Sequence, residues 1–436
     1  MNNELVYLAE EAIRQLSGSA DYKLVLLRNH EDNIVMRNGK VEKMLRATSL
    51  SLAINLYIDG RDGFFYTNNL LPDFVRNFVQ QAYQTTLLLE PDPSRTLADP
   101  TRYYKGGGPE LRNYDASLDG IDASQKLQLA KEAAAEIEGK DKRVISTQMR
   151  YSDRQHQACY VISNGFEGYE ECSNLSLTCI VTAEGEGGQH PMDGWGESRL
   201  FFSQMPSKGI APIALERTLR KIGQKPVPSG KYRMILESPV AGSFLQPLLS
   251  AMNGQALQQR TSFLAGKLGE TITSPLVNLV DDPHIPGTRG ACHFDFDGVR
   301  TERRELISGG KLQTYFIDTA MSHKLGMAPT TQGTHHLILE PGRQSLNELI
   351  ADSRKAILVT DFNGGNCDPT TGTFSYGIEG FLIENGIITQ PVSGMNVTGN
   401  MLDTWQNLSA IANDADPWEV ELIPSLAFED VSFGGL

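Results

Sequence analysis

The 436-residue chain carries 39 Lys and Arg against 53 Asp and Glu, a formal charge of −14. That balance repels phosphate backbones, and the basic clusters Arg217/Arg220/Lys221 and Arg303/Arg304 are too short to override it, so direct nucleic-acid binding is excluded. No apolar run is long enough to span a bilayer, the first twenty residues hold Glu4, Glu10, Glu11 and Arg14 in place of a signal sequence, and the five cysteines include no C-x-x-C pair. The expectation is a cytoplasmic protein of two or three domains with reduced thiols.

Residues 3–17 place Leu5, Leu8, Ala12 and Leu16 on one helical face, with Gly18 as the stop. β-rich runs follow at Lys23–Arg28, Asn33–Arg37, Lys40–Leu45 and Ser49–Ile58, and Asn38-Gly39 marks a type I′ hairpin. A second helix is predicted over Pro72–Thr86, with Phe74, Val75, Phe78, Val79 and Ala82 inward. Residues 91–115, rich in Pro and Gly, read as a linker or long loop. The order then repeats. Asp122-x-x-Gln125 is a capping box opening a helix to Gly139, strands lie at Val144–Tyr151, Gln157–Ile162 and Asn174–Ala183, and a helix closes the unit at Ala211–Gly223. Setting Asn38-Gly39 over Asn164-Gly165 brings SLSLAINLYIDG (49–60) over NLSLTCIVTAEG (174–185) after a one-residue slip. This predicts a duplicated helix–β-meander–helix unit, with convergent meander patterning as the alternative.

A KPVPSG joint at 225–230 leads into a helix and then mainly strands: Thr273–Val280, Ala291–Phe296, Arg304–Ser308, Leu312–Asp318, Ala356–Phe362, Thr373–Gly377, Gly380–Glu384 and Ile387–Val392. Gly309-Gly310 and Asn385-Gly386 signal hairpins. A helix around Asn400–Ala412 and a strand near Trp418–Ile423 end the series. The class is α+β: duplicated units in the N-terminal half, and a C-terminal half mainly of antiparallel strands with a few helices. The predicted divisions are an N-terminal module at 1–90, a linker at 91–120, a middle module at 121–224 and a C-terminal β-rich domain at 225–436.

Three stretches carry groups capable of chemistry. In CHFDFD (292–297) a strand would project His293, Asp295 and Asp297 together, with Asp281, Asp282 and His284 shortly before; the alternation is equally that of a sheet with one wet face. His335-His336 would point to opposite faces and suit structural roles. The Gly- and Asn-rich 361–377 could approach a ligand through its backbone or simply turn between strands, and Cys367 beside Asp368 lacks the base or positive charge a nucleophile needs. The chain contains no G-x-S-x-G, Walker, dinucleotide-binding or zinc-finger pattern.

The stretch Ser238–Ser262 is the most informative. Ser238 can cap a helix with Pro239 in its first turn; Phe244, Leu248, Leu249 and Met252 form an apolar face, and Gln246, Ser250 and Asn253 a polar, uncharged one. Pro247 should kink or shorten this helix, and Gly254 weaken its end.

RTSFLAGKLGETI (260–272), DDPHIPGTRGACHFDFDGVRTERRELISGGKLQTYFIDTAMSHKLGM (281–327) and TGTFSYGIEGFLIENGIITQPVSGMNVTGNMLD (371–403) resemble the TldD/PmbA family, also labelled modulators of DNA gyrase. DNIVMRNGKVE (32–42) and GFFYTNNL (63–70) are similar too. The resemblance implies a zinc peptidase branch, TldD, whose metal helix reads HExxxH with a later cysteine. It also implies a branch, PmbA or TldE, without those ligands. Counting back from Thr261-Ser262 places Leu245 and Ser250 at the histidines, Gln246 at the glutamate, and Gly377 at the cysteine. Leu has no donor atom, Gln cannot take a proton from water, and a Ser hydroxyl is a weak zinc ligand. The resemblance therefore implies a non-catalytic PmbA/TldE-like chain with no metal or cofactor of its own. Its partner would be a TldD-like zinc peptidase subunit or a second copy, and the pair would act on unfolded or modified peptides. Gln246, Ser250, Asn253 and Gln255 would line the peptide cavity. The alternatives are an active peptidase with a relocated metal site at His293, Asp295 and His284, and a non-enzymatic regulator that binds gyrase or its antagonists.

Overall fold

The computed structural model describes residues 4–18 and 20–435, so the first residue of the helix predicted over 3–17 lies outside it. The chain runs α1 (Glu4–Leu16), β1 (Asp21–Arg37), β2 (Lys40–Ile58), β3 (Arg61–Thr67), α2 (Pro72–Thr86), then α3 (Ala123–Ala135), β4 (Val144–Ile162), β5 (Phe166–Ala183), β6 (Met192–Arg199) and α4 (Ile210–Arg220). Each half of this region is thus helix, three strands, helix. The six strands form one sheet in the order β3-β2-β1-β4-β5-β6, with the first strands of the two units paired antiparallel at its centre. The duplication seen in the sequence is therefore present as element order, and β3 and β6 are the strands it missed.

Several strands are longer than predicted. The run Lys23–Arg28 does not stop at the polar Asn29–Asp32; it continues to Arg37, and β4 likewise continues through Ser152–His156. The reason lies in pairing across the sheet. Asp32 sits opposite Asp153, and Lys126 from α3 drops between them, with Nζ 2.5 Å from Asp32 Oδ2 and 2.6 Å from Asp153 Oδ2. Arg46 closes Asp32 with bonds of 2.7 and 2.6 Å. A polar stretch can thus be buried strand once its charges are matched. Alternation sorts the remaining side chains: Leu24 and Leu26 face α1 and α2, while Val25 joins Tyr160, Phe166 and Phe294 on the other side.

The C-terminal half comprises β7 (Gly230–Leu236), α5 (Ser238–Ala251), α6 (Gly254–Gln258), β8 (Leu279–Asp281), β9 (Arg304–Ser308), β10 (Lys311–Leu312), α7 (Thr319–Leu325), β11 (Leu337–Leu339), α8 (Leu346–Ala351), β12 (Lys355–Cys367), β13 (Thr373–Glu384), β14 (Ile387–Asn400), α9 (Met401–Gln406), β15 (Leu408–Ile411), β16 (Glu421–Leu422) and β17 (Leu426–Gly435). Its strands form a six-stranded sheet, β14-β13-β12-β7-β17-β15, and a five-stranded one, β10-β9-β8-β11-β16. Most pairs are antiparallel; β7–β12 and β11–β16 are parallel. α5 packs between these sheets in the largest apolar core.

Some predicted strands shrink or vanish. Pro275 keeps 273–278 out of strand, and only Leu279–Asp281 pairs. Ala291–Phe296 is turn structure with one bridge, Phe294 to Arg300. Asp318 caps the unpredicted α7 through a 2.7 Å bond from Met321 N, which ends the strand expected over Leu312–Asp318. The helix expected to Ala412 stops at Gln406, where β15 takes over. Asn38-Gly39, Gly309-Gly310 and Asn385-Gly386 all adopt the paired positive φ of a type I′ turn. Asn164-Gly165 differs: only Gly165 has positive φ, in a three-residue loop.

Candidate functional site

α5 begins at Ser238 with Pro239 in its first turn, but Glu237 holds the capping position and makes no side-chain cap. Ser238 instead ties the helix start to the segment after β16: its N–H donates to Ser425 Oγ at 2.9 Å and its hydroxyl to the Ile423 carbonyl at 2.8 Å. Pro247 does not interrupt the helix, which runs on to Ala251. Asn253 then starts α6, accepting from Gln255 N at 2.8 Å.

The four positions at issue have different surroundings. Leu245 is 1% exposed within the apolar core. Gln246 lies on the outer face and donates from Nε2 to Glu421 Oε1 at 2.6 Å. Ser250 is exposed at the end of the helix. Gly377 pairs with Asn396 in the β13–β14 ladder, and a β-carbon there would stand 2.2 Å from Asn363 Oδ1. The Asn363 side chain is exposed, so it could turn aside for a larger residue at 377.

Glu421 is the residue that sequence reasoning missed. Its carboxylate crosses the face of α5 one turn apart at two points: Gln246 holds Oε1, and a β-carbon on Gly242 would stand 2.9 Å from Oε2. Burial pushes its pKa up, the Gln246 amide pulls it back, and the charge of Glu419 raises it again. Nothing local in the sequence links positions 175 residues apart. Glu421 also lines a cavity of about 780 Å³ formed by β6, the first turns of α5 and the segment 414–423.

The other candidates disperse. His293 stacks flat on Tyr104, centroids 5.0 Å apart, with His284 at 5.9 Å. Burial lowers the pKa of His293. Asp295 Oδ1 accepts from the N–H groups of Asp297 and Val299 at 2.9 and 3.0 Å, closing its own turn. Burial, then the charge of Asp297, pushes its pKa up to about 6. Asp297 binds Lys23 Nζ at 2.6 Å and accepts from Gln332. The three do not share a strand face, because the segment is not a strand. His284 contacts Thr301 Oγ1 at 3.0 Å, and its N–H donates to Asp282 at 3.1 Å. The fully buried Asp281 accepts the N–H of both His335 and His336, at 2.8 and 2.9 Å, a structural role. Residues 361–377 are the β12–β13 hairpin, turned by Asp368 accepting from Thr370 N and Thr371 N. Burial raises the Cys367 thiol, as does the Asp368 charge, which leaves it a poor nucleophile.

Three family models match in series: PmbA/TldA metallopeptidase domain 1 over residues 22–85, the central domain over 116–222 and the C-terminal domain over 229–435. A solved structure described as a modulator of DNA gyrase, from Bacteroides thetaiotaomicron, is 44% identical, covers 100% of this chain and 99% of its own, and superposes with a TM-score of 0.97. The chain belongs to the PmbA/TldD family. Metalloprotease PmbA of Escherichia coli O157:H7 is 26% identical over 93% of this chain and 90% of its own length. TldE from Thermococcus kodakarensis, at 21% identity and TM-score 0.82 with 99% of each chain covered, shares the fold.

Counted back from Thr261-Ser262, the positions expected to carry zinc ligands hold residues that do not suit the ion: Leu245 is aliphatic and buried in the core, Gln246 is an amide bonded to Glu421, and Gly377 has no side chain. Among the described residues, no group of three or more His, Cys, Asp and Glu is placed to hold a metal ion elsewhere. None of the described helices is long and apolar enough to cross a membrane.

Proposed function

We propose that this chain is a catalytically silent, PmbA/TldE-like subunit of a cytoplasmic zinc-metallopeptidase assembly, supplying wall and substrate contacts while a TldD-like subunit supplies the metal. What supports the reading is that the positions counted as the family's ligand set carry Leu245, Gln246, Ser250 and Gly377. A helix presenting an aliphatic, an amide and a hydroxyl shapes a chamber but does not activate water. The substrate in this reading is an unfolded or modified peptide. The cavity beside α5 supports it, and Gln246 reaches that cavity through Glu421. Ser250, Asn253 and Gln255 extend the same polar surface towards α6, which the reading assigns to the assembled chamber.

The test is zinc analysis of the purified chain beside cleavage of an unfolded protein, alone and mixed with an HExxxH-bearing subunit. The expected result is no stoichiometric zinc, no cleavage alone, and chelator-sensitive cleavage by the mixture. Zinc together with chelator-sensitive cleavage by the chain alone overturns the proposal. The active-peptidase alternative lacks support because, among the described residues, no three His, Cys, Asp or Glu are placed to hold a metal, and Asp295 closes its own turn. The regulator alternative draws only on the description of similar structures as gyrase modulators; recovery of gyrase without a TldD-type partner from cell extract would favour it.

A further inference from the structure

The 780 Å³ cavity beside α5 meets two sheets at their edges rather than at their faces. Five consecutive residues of β6, Gly194 to Ser198, line it, and successive residues of a strand point to opposite faces. A cavity touching all five therefore runs along the strand's side. β6 is the outermost strand of the N-terminal sheet and pairs only with β5. Across the cavity stand Glu419 and Val420, in the bend before β16, and Glu421, the first residue of β16, the outermost strand of the five-stranded sheet. β6 thus turns its outer edge to the opening: the Gly194 N–H and the Ser198 carbonyl are taken by the side chains of Asp193 and Arg199, and the stretch between them is left to receive an extended chain through main-chain hydrogen bonds.

The charge of the opening is specific. Glu237 is held by Arg217 at 2.9 Å, Glu419 by Arg289 at 3.0 Å, and Glu197 by Arg199. Asp414, Asp416 and Glu421 have no cationic partner among the described residues. They accept instead from Ser425, from the Trp418 N–H and from Gln246. Three carboxylates fixed by neutral donors face a space whose remaining wall includes the indole of Trp195, with the Arg217 guanidinium 5.5 Å from its ring centre. Fixed carboxylates beside an aromatic surface complement an ammonium or guanidinium on an aliphatic stem.

We propose that this cavity binds an extended peptide carrying a lysine or arginine: its main chain adds to the edge of β6, and its cationic side chain reaches Asp414, Asp416 and Glu421. The inference rests on the reading of the chain as a peptide-holding subunit and names the peptide class that subunit selects.

The test is fluorescence anisotropy on the isolated full chain with three unstructured peptides, identical except for lysine, glutamine or glutamate at the same positions. The lysine peptide is expected to bind about tenfold or more tighter than the glutamine one, and the glutamate one weakest, with the discrimination falling at high salt. The triple variant Asp414→Asn, Asp416→Asn, Glu421→Gln should lose that discrimination. Neutralising three exposed acids elsewhere, Asp73→Asn, Glu90→Gln and Glu305→Gln, should preserve it. Alternate N-methylation of the lysine peptide should also weaken it about tenfold or more by blocking strand addition. Equal binding of the lysine and glutamine peptides overturns the assignment, as does discrimination that survives the triple variant or full affinity after N-methylation. A chain that fails these tests yet restores cleavage to a TldD-like subunit loses only the cavity assignment. Chelator-sensitive cleavage by the chain alone overturns the silent-subunit reading whatever the peptide preference.

Discussion

Lys126→Met isolates the charge cluster on which the central β1–β4 pairing depends. Lys126 is fully buried, with Nζ between Asp32 and Asp153; Asp153 is fully buried too, and its Oδ1 has no hydrogen-bond partner. Methionine keeps the stem's volume and removes the charge. Asp32 retains Arg46, but Asp153 retains only the Tyr151 hydroxyl at 2.6 Å, so a buried carboxylate is left without a cation. Breaking a buried pair in this way costs about 3–5 kcal/mol, which lowers the midpoint of the transition by roughly 6–20 °C for a unit of this size. Burial raises the Asp32 pKa, but its bonds to Arg46 and Lys126 and their charges outweigh it, so the group ends below its ordinary value. Its stabilising contribution is therefore present above the unfolded pKa and lost as pH falls through the folded one. Asp32 keeps Arg46 in the variant, so the charge left without a cation is that of Asp153, and Lys126→Met/Asp153→Asn, which removes it, should recover most of the deficit. Thermal unfolding of parent, Lys126→Met and the double variant, at neutral pH and in acid, checks both statements. A loss below about 1 kcal/mol, or no recovery with Asp153→Asn, refutes the assignment of the cost to an uncompensated charge.

Leu245→His with Gln246→Glu and Ser250→His is expected to bind no stoichiometric zinc, measured by elemental analysis, and to cost about 1–3 kcal/mol in denaturant for the imidazole placed in the core. Zinc at one per chain with parental stability would contradict this. Gly377→Cys is expected to cost less than about 1 kcal/mol in denaturant, because the group its β-carbon meets is the end of the exposed Asn363 side chain, which can turn aside. A loss above about 2 kcal/mol would mean that Asn363 is held in place.

The helices α1 to α4 and the hairpin turns were legible because each is written in adjacent residues. The Asp122–Gln125 capping box forms as read, and Asn38-Gly39 and Asn385-Gly386 take their positive φ values. What was illegible depends on distant partners. Asn29–Asp32 looks like a break until Lys126, 94 residues on, neutralises it. The same is true at α5. The polar face was visible at Gln246 and Ser250, but not that Glu421 would claim Gln246. CHFDFD misled in the other direction. Its alternation is that of a strand, but Asp295 bonds the N–H groups of Asp297 and Val299 and turns the chain back instead.

Three of the positions expected to correspond to metal ligands serve different local arrangements. Leu245 packs the core, Gly377 pairs with Asn396 in the β13–β14 ladder, and Gln246 steadies a carboxylate. The last is the most telling. With Oε1 of Glu421 held by the amide, Oε2 rests against Gly242, where any side chain would displace it, and the carboxylate stays aimed along the cavity between the two sheet edges. A glutamate at 246 would put a second acceptor where Glu421 needs a donor, and the two carboxylates would have to share a proton or part. The amide at this position thus has a physical use that a carboxylate lacks: it fixes an acid that lines the cavity.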